Sequence, residues 1–193
     1  MSYTWTQSNG GPLVLLEAGL LPAWKGLTNV KDPLDPATDY GRACAVSDYV
    51  GVIPLGQGVQ AVVLGGDPTL PATWGSLRGA LFLARTYAGD EAPQLAAWPA
   101  SLGIAHAAAL GEAVGPLARV HPTRSSHSIL SDRLCLFDAA FPGEEALSSH
   151  DACEERLPAL LIPCNPGTYS IVTVDGAVDG EDVLFHFFLS QAR

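Results

Sequence analysis

The chain has 193 residues, of which 48% are hydrophobic, and its formal net charge is −10. That length suits one large domain or two small halves that share a core. No stretch approaches the ~18 consecutive apolar residues of a membrane helix, and the N-terminus lacks the basic head and apolar run of a signal peptide. We therefore expect a cytoplasmic protein with no membrane partner.

Acidic side chains are concentrated in the last third of the chain. Residues 138–193 contain ten Asp and Glu residues against two arginines, which accounts for −8 of the net charge of −10. A nucleic-acid ligand is disfavoured, because phosphate binding needs clustered Lys and Arg. The same acidic field favours a basic protein partner. An acidic surface that serves only solubility is the alternative.

The N-terminal part is predicted to consist of strands joined by short helices and turns. A strand is expected over residues 12–17 and a short helix over 19–26, and Asp39 is a good N-cap for a helical turn that reaches Cys44. Two apolar, β-branched runs, residues 50–55 and 59–64, flank Gly56-Gln57-Gly58 and predict a β-hairpin. Residues 69–78 are predicted as a loop and 79–87 as the strand that closes this part.

The C-terminal part follows an alanine-rich stretch, residues 90–114, which predicts one or two helices packed on a sheet. Strands are predicted over 117–121, 134–141 and 183–189, and a second hairpin around Ile162-Pro163 and Gly167. A charged loop with a helical turn is expected over 142–156. Strands outnumber helices, so the predicted fold is α+β and mainly antiparallel β, with a few short helices.

One order of strands occurs twice. Residues 13–18 resemble 134–139, the Ile-Pro-x-x-x-Gly signal at Ile53 recurs at Ile162, and residues 79–84 resemble 182–187. We therefore predict two related halves that share one core. These are an N-terminal β-rich half with a helical tail (1–116) and a C-terminal β-rich half (117–193) that is a degenerate repeat of the first. Short apolar strands also resemble one another by composition alone, so coincidence stays open.

Two arrangements of residues could carry chemistry. Cys44, beside Asp39 and Arg42, would be a nucleophile if a histidine held it as a thiolate, but the sequence selects no histidine. A buried, unreactive thiol is the simpler interpretation. A zinc site would draw on mixed nitrogen and sulfur ligands: His150, Cys153, Cys164 and His186. We predict no catalytic residue, no metal and no cofactor, with a hydrolase based on Cys44 or on the Cys/His site as the alternative.

Short motifs follow one another in a particular order along nearly the whole chain. They are residues 8–16, 24–26, 39–44, 48–53, 63–68, 73–74, 137–140 and 166–169. This series resembles the immunity protein 21 family of bacterial polymorphic-toxin systems.

The resemblance implies a protein that binds and neutralises a toxin domain by surface complementarity, without an active site. The acidic second half would suit a basic toxin such as a nuclease. The candidate partner-binding residues are polar or aromatic side chains of the motifs together with paired acids of the second half: Asp39, Tyr40, Arg42, Asp48, Glu144, Glu145, Glu154 and Glu155. For Asp39, Tyr40 and Arg42, a helix cap, a core aromatic and an internal salt bridge are the alternative roles.

Overall fold

The computed structural model describes residues 5–8, 10–28, 31–65, 72–77, 80–86, 119–147, 159–178 and 181–191. The chain divides into two compact units. Unit A comprises Thr6–Thr69 and Ile129–Pro166, and unit B comprises Met1–Trp5, Leu70–Ser128 and Gly167–Arg193. The predicted halves, 1–116 and 117–193, divide the chain differently, because each unit draws on both of them.

Ten strands lie in the described residues: β1 (Leu13–Glu17), β2 (Val50–Gly56), β3 (Val59–Leu64), β4 (Ala72–Leu77), β5 (Ala80–Thr86), β6 (Arg119–Ile129), β7 (Arg133–Asp138), β8 (Ala159–Pro163), β9 (Gly167–Val178) and β10 (Glu181–Ser190). One five-stranded sheet has the order β2-β3-β1-β7-β8, and the other has the order β4-β5-β10-β9-β6. The strand pairs with a resolved register are all antiparallel. The fold is therefore β-rich and mainly antiparallel, which confirms the predicted class.

Unit A has a sheet that is apolar on both faces. All five residues of β1 are buried, and so are Leu134–Phe137 of β7, which is typical of central strands covered on both sides. One face packs against a 3-10 helix (Ala18–Ala23), α1 (Asp39–Cys44) and α2 (Gly143–Ala146). We call this face, with the segments 22–28, 31–39 and 139–147 that lie on it, the helix side of unit A.

The hairpin between β2 and β3 confirms the clearest turn signal in the sequence. Gln57 and Gly58 both have positive φ, 51° and 79°, as a two-residue type I′ turn requires. The register shifts between Pro54 and Gly56, which is the irregularity expected beside the turn.

Two sequence predictions about strands are wrong. Residues 69–78 are not all loop, because β4 pairs with β5 over six residues. Small and polar residues, Gly75 and Ser76 among them, interrupt the apolar pattern of this strand. The second hairpin around Ile162-Pro163 does not exist either. β8 belongs to the sheet of unit A and β9 to the sheet of unit B, so these strands are not hairpin partners.

The repeated Ile-Pro pair has a different explanation, which is the protection of sheet edges. β2 and β8 are the two outer strands of the unit A sheet. The amide of Gly65 donates to the carbonyl of Tyr49, and the amide of Cys164 donates to the carbonyl of Asp132. Along an antiparallel pair, the backbone N–H and C=O groups of successive residues point alternately toward the partner strand and away from it. Counted from these bonds, the backbone groups of Pro54 and of Pro163 point away from the partner strand, toward the open edge of the sheet. A proline there has no N–H to offer an added strand.

The two sheets share one arrangement about their central pair. In unit A, β1 and β7 are partners with Leu15 opposite Leu136, and β3 and β8 flank them. In unit B, β5 and β10 are partners, and β4 and β9 flank them. A duplicated four-strand segment would give this order. In that case β1 is equivalent to β7 and β3 to β8 in unit A, and β4 is equivalent to β9 and β5 to β10 in unit B. The duplication itself stays a prediction.

The remaining predictions concern helices and the strand at 117–121. The short helix expected over 19–26 is the 3-10 helix, and the helical turn expected within 142–156 is α2. Residues 119–121 of the predicted strand form the start of the longer β6, and residues 117 and 118 fall outside the described residues. The helices expected over 90–114 fall outside the described residues. Among those that are described, no helix is long and apolar enough to cross a bilayer.

Candidate interaction surface

Trp24 fixes the helix side of unit A to the end of β7. Its side chain is fully buried, its ring lies edge-on to Phe137 at 6.3 Å between centroids, and its indole N–H donates to the carbonyl of Ala139 at 2.9 Å. Its own carbonyl accepts from the amide of Gly143 at the start of α2, 3.0 Å away. Trp24 therefore belongs to the core, and it joins three segments.

Gly26 shows why this junction needs a glycine. Its φ is +55°, and a Cβ built there would meet the carbonyl oxygens of Ala140 and Phe141 at 2.6 Å. Any side chain would push the segment away from the end of β7. The Trp24-Lys25-Gly26 motif thus has a structural role.

The motif at residues 8–11 is organised by Ser8 and the buried carboxylate of Asp138. The Ser8 hydroxyl donates to Asp138 at 3.2 Å and accepts from the amides of Gly10 and Gly11 at 3.1 and 2.8 Å. The other Asp138 oxygen accepts from the amide of Ala140 at 2.9 Å. A few polar groups therefore tie the N-terminal segment to the end of β7.

Replacing Ser8 with alanine should lower the free energy of unfolding by about 1–3 kcal/mol, because it leaves two amides and a buried carboxylate without this partner. Denaturant unfolding measures the change. Ser131→Ala is the matched control, since its hydroxyl donates to the carbonyl of Arg133 in an exposed position and its loss should change stability by less than ~0.5 kcal/mol. Equal effects of both substitutions would contradict the role given to Ser8.

The candidate residues of α1 are held by internal contacts. The N-cap is Thr38, whose hydroxyl accepts from the amide of Gly41 at 2.9 Å, so the assignment of Asp39 as the cap is wrong. Asp39 instead accepts from the amide of Lys25 at 2.7 Å and forms a salt bridge with Arg42 at 2.5 Å. The internal salt bridge considered from the sequence is present, and a partner-binding role for these residues stays a prediction.

Tyr40 and Cys44 form a pair on the same helix. The Tyr40 ring lies so close to Gly11 that a Cβ there would meet its hydroxyl at 2.8 Å. Burial, followed by the hydrogen bond with Cys44, raises the pKa of Tyr40 to about 12. Burial also raises the pKa of Cys44, although the bond from Tyr40 opposes the shift. A raised pKa leaves little thiolate, which is the opposite of what a nucleophilic cysteine needs.

Cys44 should therefore react slowly with thiol reagents in the native protein. Cys44 is half-buried rather than fully buried. We expect labelling at pH 7.5 to be at least tenfold slower than that of a small model thiol, and to become fast in denaturant, because partial burial and the raised pKa both oppose attack. Mass spectrometry of the labelled peptides separates Cys44 from Cys135, Cys153 and Cys164. Labelling at the rate of the model thiol or faster would restore the nucleophile hypothesis.

Three of the other candidate partner-binding residues lie in the described part of the chain, and two do not. Asp48 is exposed between α1 and β2, and Glu144 and Glu145 are exposed on α2. Glu154 and Glu155 lie outside the described residues. The structure thus brings Asp39, Tyr40, Arg42, Glu144 and Glu145 to the helix side of unit A.

The alternative metal site is not assembled by the residues that the structure describes. Within those ranges, no group of three or more His, Cys, Asp or Glu side chains is placed to hold an ion. Cys164 follows β8 in unit A and His186 lies on β10 in unit B, while His150 and Cys153 fall outside the described ranges.

An open hollow that the sequence reasoning missed lies on the helix side. Its volume is about 510 Å³, and its lining comes from two segments: Lys25, Gly26 and Thr28 from the first, and Lys31, Asp32, Asp35, Ala37, Thr38 and Asp39 from the second. Asp32 accepts from the amide of Leu34 at 3.0 Å, and Asp35 accepts from the amide of Ala37 at 2.8 Å. Each aspartate precedes a proline and caps a turn, so the twin Asp-Pro pairs, 32–33 and 35–36, were a signal for this loop.

The family comparison matches this chain over most of its length. The family model described as immunity protein 21 matches residues 4–182, which takes in all of unit A and most of unit B. The chain belongs to the immunity protein 21 family. Searches of the curated proteins and of the solved structures found no match. In this member of the family, the motifs at residues 8–11, 24–26 and 39–44 meet at the helix side of unit A and make the contacts that hold it together.

Proposed function

We propose that this protein is the immunity partner of a protein toxin. It binds the toxin domain in the cytoplasm of a bacterial producer cell and blocks it by covering part of its surface. The observation that carries the proposal is the match to the immunity protein 21 family over residues 4–182. The internal contacts that hold the helix side of unit A support it, because a preorganised surface loses little entropy when a partner binds.

The toxin that fits this protein best is a basic one, such as a nuclease. The net charge of −10 would draw a basic domain toward the protein and speed their association. A nuclease needs basic residues to bind phosphates, so its own substrate site would be attracted to the same acidic field.

Binding is favoured over catalysis by the state of Cys44. The raised pKa of this thiol argues against a covalent mechanism that acts on the toxin. The expected mode of action is therefore non-covalent binding of the toxin domain.

Co-expression tests the function directly. The toxin gene next to the gene for this protein is induced in a bacterial host, with and without this protein. We expect survival only when the protein is present, and no protection against a toxin from an unrelated system. Equal killing with and without the protein would overturn the proposed function.

A further inference from the structure

The two outer strands of the unit A sheet carry the same pattern of residues. β2 begins with Val-Gly-Val-Ile-Pro over residues 50–54, and β8 is Ala-Leu-Leu-Ile-Pro over residues 159–163. Both prolines, Pro54 and Pro163, are exposed. A four-strand duplication would match β8 with β3 rather than with β2, so it does not explain this likeness. What β2 and β8 share is their position, since each ends the sheet.

β8 presents backbone groups to the edge of the sheet, because no described strand lies beyond it. Alternation from the bond between Cys164 and Asp132 turns the backbone of Ala159, Leu161 and Pro163 outward. The side chain of Leu161, in the middle of this set, is 45% exposed. The register with β7 is unbroken over residues 159–163. A regular, apolar edge of this kind is a template for a further antiparallel strand.

A second copy of this chain is the partner that such an edge fits. Two β8 strands related by a two-fold axis are antiparallel, with Leu161 opposite its own counterpart and Ala159 opposite the counterpart of Pro163. Residues that face each other with outward backbone groups exchange two N–H···O bonds. Pro163 has no N–H, and its ring lies where that hydrogen would meet the facing carbonyl. The proline therefore blocks both ends of the symmetric pair.

We infer that Pro54 and Pro163 keep unit A from pairing, edge to edge, with a second copy of this chain. The inference goes beyond the proposed function and does not depend on it, because it concerns self-association and not the toxin. Without these prolines, each copy would offer an edge whose register matches that of every other copy.

The edge at β2 depends less on its proline than the edge at β8. The same alternation turns Val50, Val52 and Pro54 outward. The register shift between Pro54 and Gly56 then makes the strand irregular directly after the proline. A substitution of Pro54 leaves that irregularity in place, and it continues to oppose an added strand.

The self-association of purified Pro163→Thr tests the inference. Threonine suits a strand and supplies the missing N–H. Sedimentation velocity over a concentration series, at a salt concentration that screens the net charge of −10, compares this variant with the wild type. We expect association roughly tenfold stronger, since a hydrogen bond is restored at each end of the pair. Pro54→Thr should have a smaller effect. Association of Pro163→Thr no stronger than that of the wild type overturns the inference.

A second substitution separates strand pairing from aggregation of a damaged fold. Leu161→Pro, added to Pro163→Thr, removes the outward N–H at the centre of the pair and spares the bonds to β7. It should return association to the wild-type level, whereas aggregation through unfolding would increase. Pro36→Thr, in the exposed loop before α1, is the control for loss of a proline ring and should stay within about twofold of the wild type. Association that survives Leu161→Pro, or that Pro36→Thr raises equally, overturns the inference.

Discussion

Replacing Trp24 with alanine should lower the free energy of unfolding by about 3–5 kcal/mol, the range expected for truncating a large buried aromatic side chain. The indole is fully buried, lies edge-on to Phe137 and bonds to the carbonyl of Ala139 at 2.9 Å. The substitution leaves a cavity at the point where the 3-10 helix, α2 and the end of β7 meet. Urea unfolding measures the loss.

Two further substitutions separate the contribution of the indole hydrogen bond from that of packing and provide an exposed control. Trp24→Phe keeps much of the apolar area but leaves the Ala139 carbonyl without its donor, so it should cost about 1–3 kcal/mol, less than alanine. Leu130→Ala removes a leucine that is 82% exposed and should cost less than ~0.5 kcal/mol. A loss below ~1 kcal/mol for Trp24→Ala would show that the helix side does not depend on this side chain.

Acid should destabilise unit B through His186. This imidazole on β10 is fully buried, bonds to the hydroxyl of Thr173 at 2.9 Å, and has no hydrogen-bond partner for its second nitrogen among the described residues. Burial, with a smaller contribution from Arg85, lowers the pKa of His186 to about 3. The folded protein thus holds this side chain neutral well below pH 6.5.

The direction of the pH effect follows from which state binds the proton. In the unfolded chain the pKa of His186 returns to ~6.5, so below that pH the unfolded state takes up a proton that the folded state excludes. Stability from this group is complete above pH ~6.5 and is lost as the pH falls toward about 3. The slope should approach ~1.4 kcal/mol per pH unit below pH 6, or about 2–3 kcal/mol by pH 4.5.

A variant without the imidazole isolates this contribution from the carboxylates. His186→Gln keeps a polar side chain beside Thr173 but cannot titrate. Urea unfolding of both proteins between pH 7 and 4.5 gives two pH slopes, and the wild type should be steeper. NMR of the imidazole should show no titration above pH 4.5. Equal slopes, or a midpoint near 6.5, would contradict the account of His186.

Local patterns predicted the elements whose cause is local. β1 and β7 were readable because their apolar runs are long enough to be strands buried on both faces. The hairpin between β2 and β3 was readable because its turn needs positive φ at Gln57 and Gly58. Twin Asp-Pro pairs signalled the loop that forms the hollow, but not the hollow itself.

The incorrectly predicted elements depend on pairing between strands that are far apart in the sequence. Ile162-Pro163 looked like half of a hairpin, yet the chain leaves one sheet after β8 and enters the other at β9. Only the partner strands show that both Ile-Pro pairs belong to sheet edges. The match of residues 13–18 with 134–139 was informative, because it placed Leu15 on Leu136, which are opposite one another at the centre of the unit A sheet.

The candidate site was predicted only in part, for the same reason. Asp39, Tyr40 and Arg42 were noticed because they stand in a motif, and the structure shows that contacts within the protein already engage them. No motif marked the open hollow on the helix side. Its shape depends on how the segments of the helix side fold onto the sheet, which periodicity cannot reveal.

A titration of toxin activity tests the central claim, that this protein works by binding a toxin domain and not by chemistry. Increasing amounts of the protein are added to a fixed amount of toxin well above the dissociation constant, and the remaining toxin activity is measured. We predict a linear fall that reaches zero at one protein per toxin, with toxin of unchanged mass and full activity recovered after denaturation and separation. Inactivation by a small fraction of an equivalent, with a covalently altered toxin, would contradict the account.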